Sequence, residues 1–221
     1  MNTYLRDGFI LFKNVFDKDF IRDVHSKLDE LSESLEISEE VFEEKGTKLI
    51  KQIQYLHQKD DIFKEMIKRV QPLVSPLIGD DASILNMQMF EKHPYISKET
   101  RAHQDNAYFK LSPPIALTVW IALDDIDKSN GCLSYTPSSH HKSIAHGRYS
   151  NHTTFRTRSG VKGLSLCIHD HDDSKDIDIP TKKGDVLIHN CNTVHKAYRN
   201  KTGRRRRAIG IVYIPKICKK D

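Results

Sequence analysis

The sequence predicts an α+β chain whose second half is an antiparallel β-sandwich or barrel. Three observations carry that prediction. Apolar residues recur at helical spacing early in the chain, and short apolar runs bounded by turn signals dominate from about Ser83 onward. One of those runs, Ile115 to Leu123, is nearly continuous, as in a strand buried on both faces. Helices first and short strands later is the order of an α+β chain.

Taken in order, Gly8-Phe-Ile-Leu-Phe reads as a short opening strand. Asp17 suits a helix N-cap, because its carboxylate can accept from the orphan N–H groups of a first turn. Phe20, Ile21, Val24, Leu28 and Leu31 then follow at helical spacing through about Ser34. A second amphipathic helix is expected from Asp60 to Val70, stopping before Pro72 because proline disfavours the α conformation of its predecessor. Ile84, Leu85, Met87, Met89 and Phe90 fit a strand. Asn130-Gly131 signals a turn into Cys132-Leu-Ser-Tyr, and Lys183-Gly184-Asp185 another into Val186-Leu-Ile-His. Arg207 to Ile214 is a final strand closed by Pro215, and the polar stretch from His141 to Pro180 reads as a long functional loop. The chain is expected to be a single domain over 1–221, with an N-terminal strand and helices in 1–80 and the β core in 81–215.

Composition narrows the function classes. A chain of 221 residues can build one sizeable core, and 38% hydrophobic with 29% charged residues is an ordinary globular balance. No apolar run approaches the roughly 18 residues a membrane span needs. Arg6 and Asp7 interrupt the apolar N-terminal pattern, which argues against a secretory signal. The four cysteines, Cys132, Cys167, Cys191 and Cys218, lack C-x-x-C spacing and read as reduced thiols of a cytoplasmic protein. Arg204 to Arg207 form a basic run within a net charge of +5, but without interleaved aromatics, so nucleic acid is not expected as a partner. The expectation is a monomer or homodimer acting on a small molecule, with no membrane partner.

The chemistry sits in His103-Gln104-Asp105. In an extended segment residues i and i+2 share a face, so this imidazole and carboxylate would project together and could bind one metal ion. His195, near the end of a predicted strand, offers a third ligand, and His189 six residues earlier faces the same side and competes with it. Two histidines and a carboxylate leave three octahedral positions open, the arrangement of non-haem iron(II) oxygenases. Arg206 lies eleven residues after His195, across an Asn200-Lys-Thr-Gly turn, so a hairpin would return it towards that histidine. A guanidinium there can grip the distal end of a dicarboxylate bidentately. Arg204 would share its strand face and could take the role instead.

These features lie among longer matches in a fixed order: His103-Gln-Asp-Asn-Ala-Tyr-Phe, Trp120-Ile-Ala-Leu-Asp, Asn130-Gly-Cys-Leu-Ser-Tyr-Thr-Pro-Ser-Ser-His, Gly184-Asp-Val-Leu-Ile-His, and His195 through Arg206-Arg-Ala. In them the sequence resembles the phytanoyl-CoA dioxygenase family, best from Gln88 to Arg207. The resemblance implies a double-stranded β-helix (jelly-roll) core with N-terminal helices packed outside. It implies an Fe(2+)- and 2-oxoglutarate-dependent dioxygenase that consumes O2, with His103, Asp105 and His195 as catalytic metal ligands. Arg206 would hold the far carboxylate of 2-oxoglutarate, with Trp120, Gln88, Lys51 and Gln104 at or near the cosubstrate. Hydroxylation is the implied reaction; desaturation and cyclisation stay open. Trp120 serves equally well as a plain core residue. Ala197 departs from the family, which often has a small hydroxyl residue there, so one cosubstrate hydrogen bond is missing or supplied by another group. Two readings compete with the oxygenase: a cupin-like metal-binding jelly roll with other chemistry, and a non-catalytic binding module.

Overall fold

The computed structural model describes residues 2–149, 155–158, 160–162 and 165–220. The elements run α1 (Asn2–Asp7), β1 (Phe9–Phe12), α2 (Lys18–Ser34), β2 (Val41–Glu44), β3 (Ile50–Ile53), α3 (Asp61–Ile78), β4 (Ser83–Lys92), β5 (Thr100–His103) and α4 (Asn106–Phe109). They continue β6 (Leu111–Ser112), β7 (Leu117–Ala122), β8 (Leu133–Tyr135), β9 (Gly147–Tyr149), β10 (Phe155–Thr157), β11 (Gly160–Lys162), β12 (Ser165–Cys167), β13 (Ile177–Ile179), β14 (Val186–Asn190), β15 (His195–Ala197), β16 (Arg206–Ile214) and β17 (Lys219–Lys220). Among the described residues the large sheet has the order β1-β14-β7-β16-β4-β3-β2-β10-β11, and a smaller sheet the order β13-β8-β15-β5. The neighbours pair antiparallel. The two sheets face each other as a double-stranded β-helix, with α2 and α3 on the outer side of the large one.

Side-chain alternation divides the large sheet between two cores. Val119, Ile121, Ile188, Ile209 and Ile211 point outward and pack with Ile21, Val24 and Leu28 of α2 and Phe63, Met66, Val70 and Val74 of α3. Trp120, Ala122, Leu187 and Ala208 point inward, against Leu133, Tyr135 and Ala197 of the small sheet. The Ile115 to Leu123 run is thus apolar throughout because its central strand serves both cores. Gly210 sits where a Cβ would come 2.9 Å from the Phe90 ring, so the missing side chain lets Phe90 lie flat near Trp120, ring centroids 5.3 Å apart.

Helix α2 matches its expected span, and Asp17 accepts from the Phe20 amide at 2.8 Å. Helix α3 does not stop before Pro72; it continues through Pro72 and Pro76 to Ile78. Both prolines are exposed, where the carbonyls they free can meet water, while Val74 is fully buried on the opposite face. An interior proline costs about 3 kcal/mol. Burying Val74, with Leu73 and Leu77 packed beside it, offsets a penalty of that size. Val41–Glu44 and Ile50–Ile53, which the sequence reading left unassigned, extend the large sheet, and the described parts of the expected His141 to Pro180 loop carry β9 to β13. Positions 150–154, 159 and 163–164 of that stretch lie outside the described residues. Among the described residues no helix is long and apolar enough to cross a membrane.

Candidate metal centre and cosubstrate cavity

His103 and His195 are directly opposite each other where β5 pairs with β15. Opposed residues of an antiparallel pair share a face, and here the ring centroids are 4.3 Å apart. Asp105 joins them by a route other than the expected one. The strand ends at His103, and Asp105 has helical angles (φ −58, ψ −34) at the entry to α4. A turn, not strand alternation, brings its Oδ1 to 3.5 Å from the Nε2 of both histidines. Donor atoms of the three side chains lie within 4.8 Å of one another.

The imidazoles are pre-set for a metal. His103 Nδ1–H donates to the Arg101 carbonyl at 2.7 Å, and His195 Nδ1–H to the Thr193 carbonyl at 2.9 Å. A carbonyl can only accept, so each Nδ1 carries the proton and each Nε2 keeps a lone pair. Burial and the neighbouring His103 push the His195 pKa down to about 3, which keeps it neutral.

Asp105 is oriented by groups the sequence reading did not assign. Its Oδ2 accepts from Thr118 Oγ1 at 2.6 Å and from His189 Nε2–H at 3.1 Å. The Tyr135 hydroxyl in turn donates to His189 Nδ1 at 2.9 Å. Both bonds to Oδ2 leave Oδ1 for the metal. Burial works against the Asp105 charge, but His195, His103 and His189 outweigh it and hold the pKa well below the usual carboxylate range. Of the two candidates for a third ligand, His195 joins the cluster with His103 and Asp105, while His189 faces the carboxylate's other oxygen. Thr118 had a legible signal, as the only polar residue between Ile115 and Leu123.

A cavity of about 500 Å³ opens from this cluster. Arg206 lines the same cavity, 1% exposed, with its guanidinium 5.4 Å from the Trp120 ring centroid. Nη2 donates to the Gly131 carbonyl at 3.1 Å, whereas Nε and Nη1 are buried without a hydrogen-bond partner among the described residues. Burial brings its pKa down to about 10, so it remains a cation. Unmatched donors on a buried guanidinium suit a carboxylate. Arg204 does not share this face. The strand begins only at Arg206, and Arg204 is exposed on a separate depression beside Lys18, Asp125 and Lys182.

Trp120, Gln88 and Lys51 all line the cavity. The Lys51 ammonium is 3.1 Å from both Glu44 oxygens, so it enters the site already ion-paired. Gln104 does not line it. Its amide nitrogen donates to the carbonyls of Lys142 and Asn192, and its Oε1 accepts from the Ile144 amide. Flanked by two ligands that face the cavity, it points the other way and ties two loops together. Two histidines of the 141–180 stretch are engaged as well: His146 Nε2 accepts from the Gln104 amide, and His171 pairs with Asp176 at 2.9 Å. Tyr108 and Phe109 line the cavity mouth, Tyr108 edge-on to His103 at 5.5 Å.

The sequence profile of phytanoyl-CoA dioxygenase (PhyH) matches residues 4–208. Peroxisomal phytanoyl-CoA dioxygenase of Rattus norvegicus is 24% identical over 98% of this chain, which spans 68% of the rat protein. The phytanoyl-CoA dioxygenase domain-containing protein 1 homolog of Caenorhabditis briggsae is 24% identical over 95% of this chain and 88% of its own length. Among solved structures, EvdO2 from Micromonospora carbonacea var. aurantiaca complexed with 2-oxoglutarate superposes with a TM-score of 0.79 at 21% identity, covering 100% of this chain and 91% of that one.

Proposed function

This chain belongs to the phytanoyl-CoA dioxygenase family, and from that membership we propose that it is an Fe(II)- and 2-oxoglutarate-dependent dioxygenase that hydroxylates an unactivated C–H bond of a small-molecule metabolite. His103, Asp105 and His195 hold the metal, and Arg206 holds the far carboxylate of 2-oxoglutarate. The observation that carries the reading is one cavity lined by two complementary groups. The first offers two Nε2 lone pairs and a carboxylate oxygen, and the second is a buried guanidinium with two unmatched donors. A metal alone would account for the first group and leave the second unexplained. A 2-oxo dicarboxylate fits both. The donor set has no thiolate and suits iron(II), with three positions left open.

When bound, iron(II) and 2-oxoglutarate supply the oxidation, coupling O2 and decarboxylation to succinate and CO2 with hydroxylation of the substrate. The chain's own residues supply position and dryness. Thr118 and His189 fix the Asp105 carboxylate, and the Arg101 and Thr193 carbonyls fix the two imidazoles. Arg206 sets how deeply the cosubstrate sits. Trp120, Leu133 and Ala197 form apolar walls that exclude water between the two groups. Tyr108 and Phe109 leave the mouth for the substrate.

Anaerobic titration with iron(II) and then 2-oxoglutarate tests the reading. A visible charge-transfer absorption that saturates stoichiometrically is expected, and His103→Ala should abolish iron binding. Stoichiometric iron in that variant would remove His103 from the ligand set. Tight iron binding with no response to 2-oxoglutarate would favour the cupin-like alternative. A succinate-release screen over a metabolite panel then identifies the substrate.

A further inference from the structure

We infer that Lys92 is a second cationic partner for the distal carboxylate of 2-oxoglutarate, side by side with Arg206. This rests on the function proposed above and adds a residue that the sequence reading did not place in the site. Three observations carry it. In the β4–β16 pair Lys92 is directly opposite Arg206, and both line the same cavity. Opposed side chains share a face about 5 Å apart, where like charges repel. Second, both side chains are buried, at 7% and 1% exposure, and neither has a carboxylate within ion-pair distance among the described residues. The Lys92 ammonium makes one hydrogen bond, to the Lys98 carbonyl at 2.6 Å, and keeps two further N–H donors. Of the nearby acids, Glu44 is engaged with Lys51 and Ser97, and Glu91 with Arg207 and His93, while Glu99 lines the cavity and acts on Lys92 through its charge. Third, Gly131 is shaped to let the two cations lie together. A Cβ there would come 2.7 Å from Lys92 Cδ and 3.2 Å from Arg206 Nη2.

Two adjacent buried cations with no carboxylate in contact among the described residues make a site that favours an anion between them. Burial pushes the Lys92 pKa well down, and Arg206 and Lys51 add to that, opposed by Glu44 and Glu99. A carboxylate has about four lone-pair sites, enough to accept from an unmatched Arg206 donor and from the lysine together. Ala197 lines the same cavity without a hydroxyl to offer, and Lys92 is a donor that can stand in for one.

The test uses the iron-loaded, oxygen-free protein, calorimetry, and two ligands that share the 2-oxo acid head. These are 2-oxoglutarate and 2-oxovalerate, which carries a methyl group in place of the distal carboxylate. Lys92→Met should weaken 2-oxoglutarate roughly tenfold or more, the scale of a charge-assisted hydrogen bond, and leave 2-oxovalerate unchanged. Equal weakening of both ligands, or no change for 2-oxoglutarate, overturns the inference. If Lys92→Met does not fold, Lys92→Gln makes the same comparison. Failure of the wild-type protein to bind 2-oxoglutarate would instead overturn the parent reading, and this inference with it.

Discussion

Arg206 and Arg207 are adjacent in the chain, yet strand alternation sends them to opposite faces of one sheet, where burial has opposite meanings. Arg207, 2% exposed, is fully engaged on the helix side. Its Nε donates to Glu91 at 2.5 Å and its Nη1 to Asp29 at 2.7 Å, and Asp29 also receives Arg205 at 2.8 Å. Arg206 faces the cavity with two donors unmatched and another cation beside it. The outer arginine closes a network that joins α2 to the sheet. The inner one leaves two donors unmatched, as the proposed cosubstrate site requires. Burial and charge are nearly the same at the two positions, so the hydrogen-bond inventory distinguishes structure from function.

Three measurements can break or sharpen that contrast. The largest effect is expected from Arg206→Met, which removes two charge-assisted hydrogen bonds to the cosubstrate. Affinity for 2-oxoglutarate should fall on the order of 100-fold or more, while the melting temperature holds or rises because an unmatched buried charge is gone. A marked drop in melting temperature would place Arg206 in the same structural class as its neighbour. Next, Arg207→Met leaves Glu91 buried without its main partner and should destabilise the fold by about 3 kcal/mol. Cosubstrate affinity should stay constant, as measured by denaturant unfolding beside ligand titration. Unchanged stability would refute the network. The smallest effect is expected from Asp29→Asn. Asp29 is 40% exposed, so the change should cost no more than about 1 kcal/mol. Hydrogen bonds from Arg205 and then Arg207 outweigh partial burial and bring the Asp29 pKa down to about 2. A folded-state pKa below the unfolded value of about 3.9 gives stability that is present above that value and lost as pH falls through about 2. The stability gap between wild type and variant should therefore close in strong acid. A gap independent of pH would show that the pairing contributes nothing.

Features set by neighbours in sequence were legible. The Asp17 cap, the spacing of α2 and the Gly131 and Gly184 turns depend on a few adjacent residues and were found as expected. That Arg206 and His195 would line one cavity was legible, because a hairpin spans their eleven-residue spacing. The bond from His189 to Asp105 was not, because His189 is 84 positions away and only the paired sheets bring the two together. Gln104 was misread despite an available signal: a residue between two cavity-facing ligands should face away. The prolines of α3 were misjudged because the local rule carries no information on which side of the helix is wet.

Strand β5 lies at the margin of the small sheet, paired with β15 on one side and met on the other by a backbone bond from Ile168 to Ala102. The ligand cluster spans that margin, with His103 on the outermost strand, His195 on the next inward, and Asp105 just beyond the strand's end. An ion held by all three would rivet the rim of the barrel as well as serve the reaction. Occupancy and local folding are then one equilibrium there. Proteolysis or amide exchange along 100–105 would report loading of the site without any turnover.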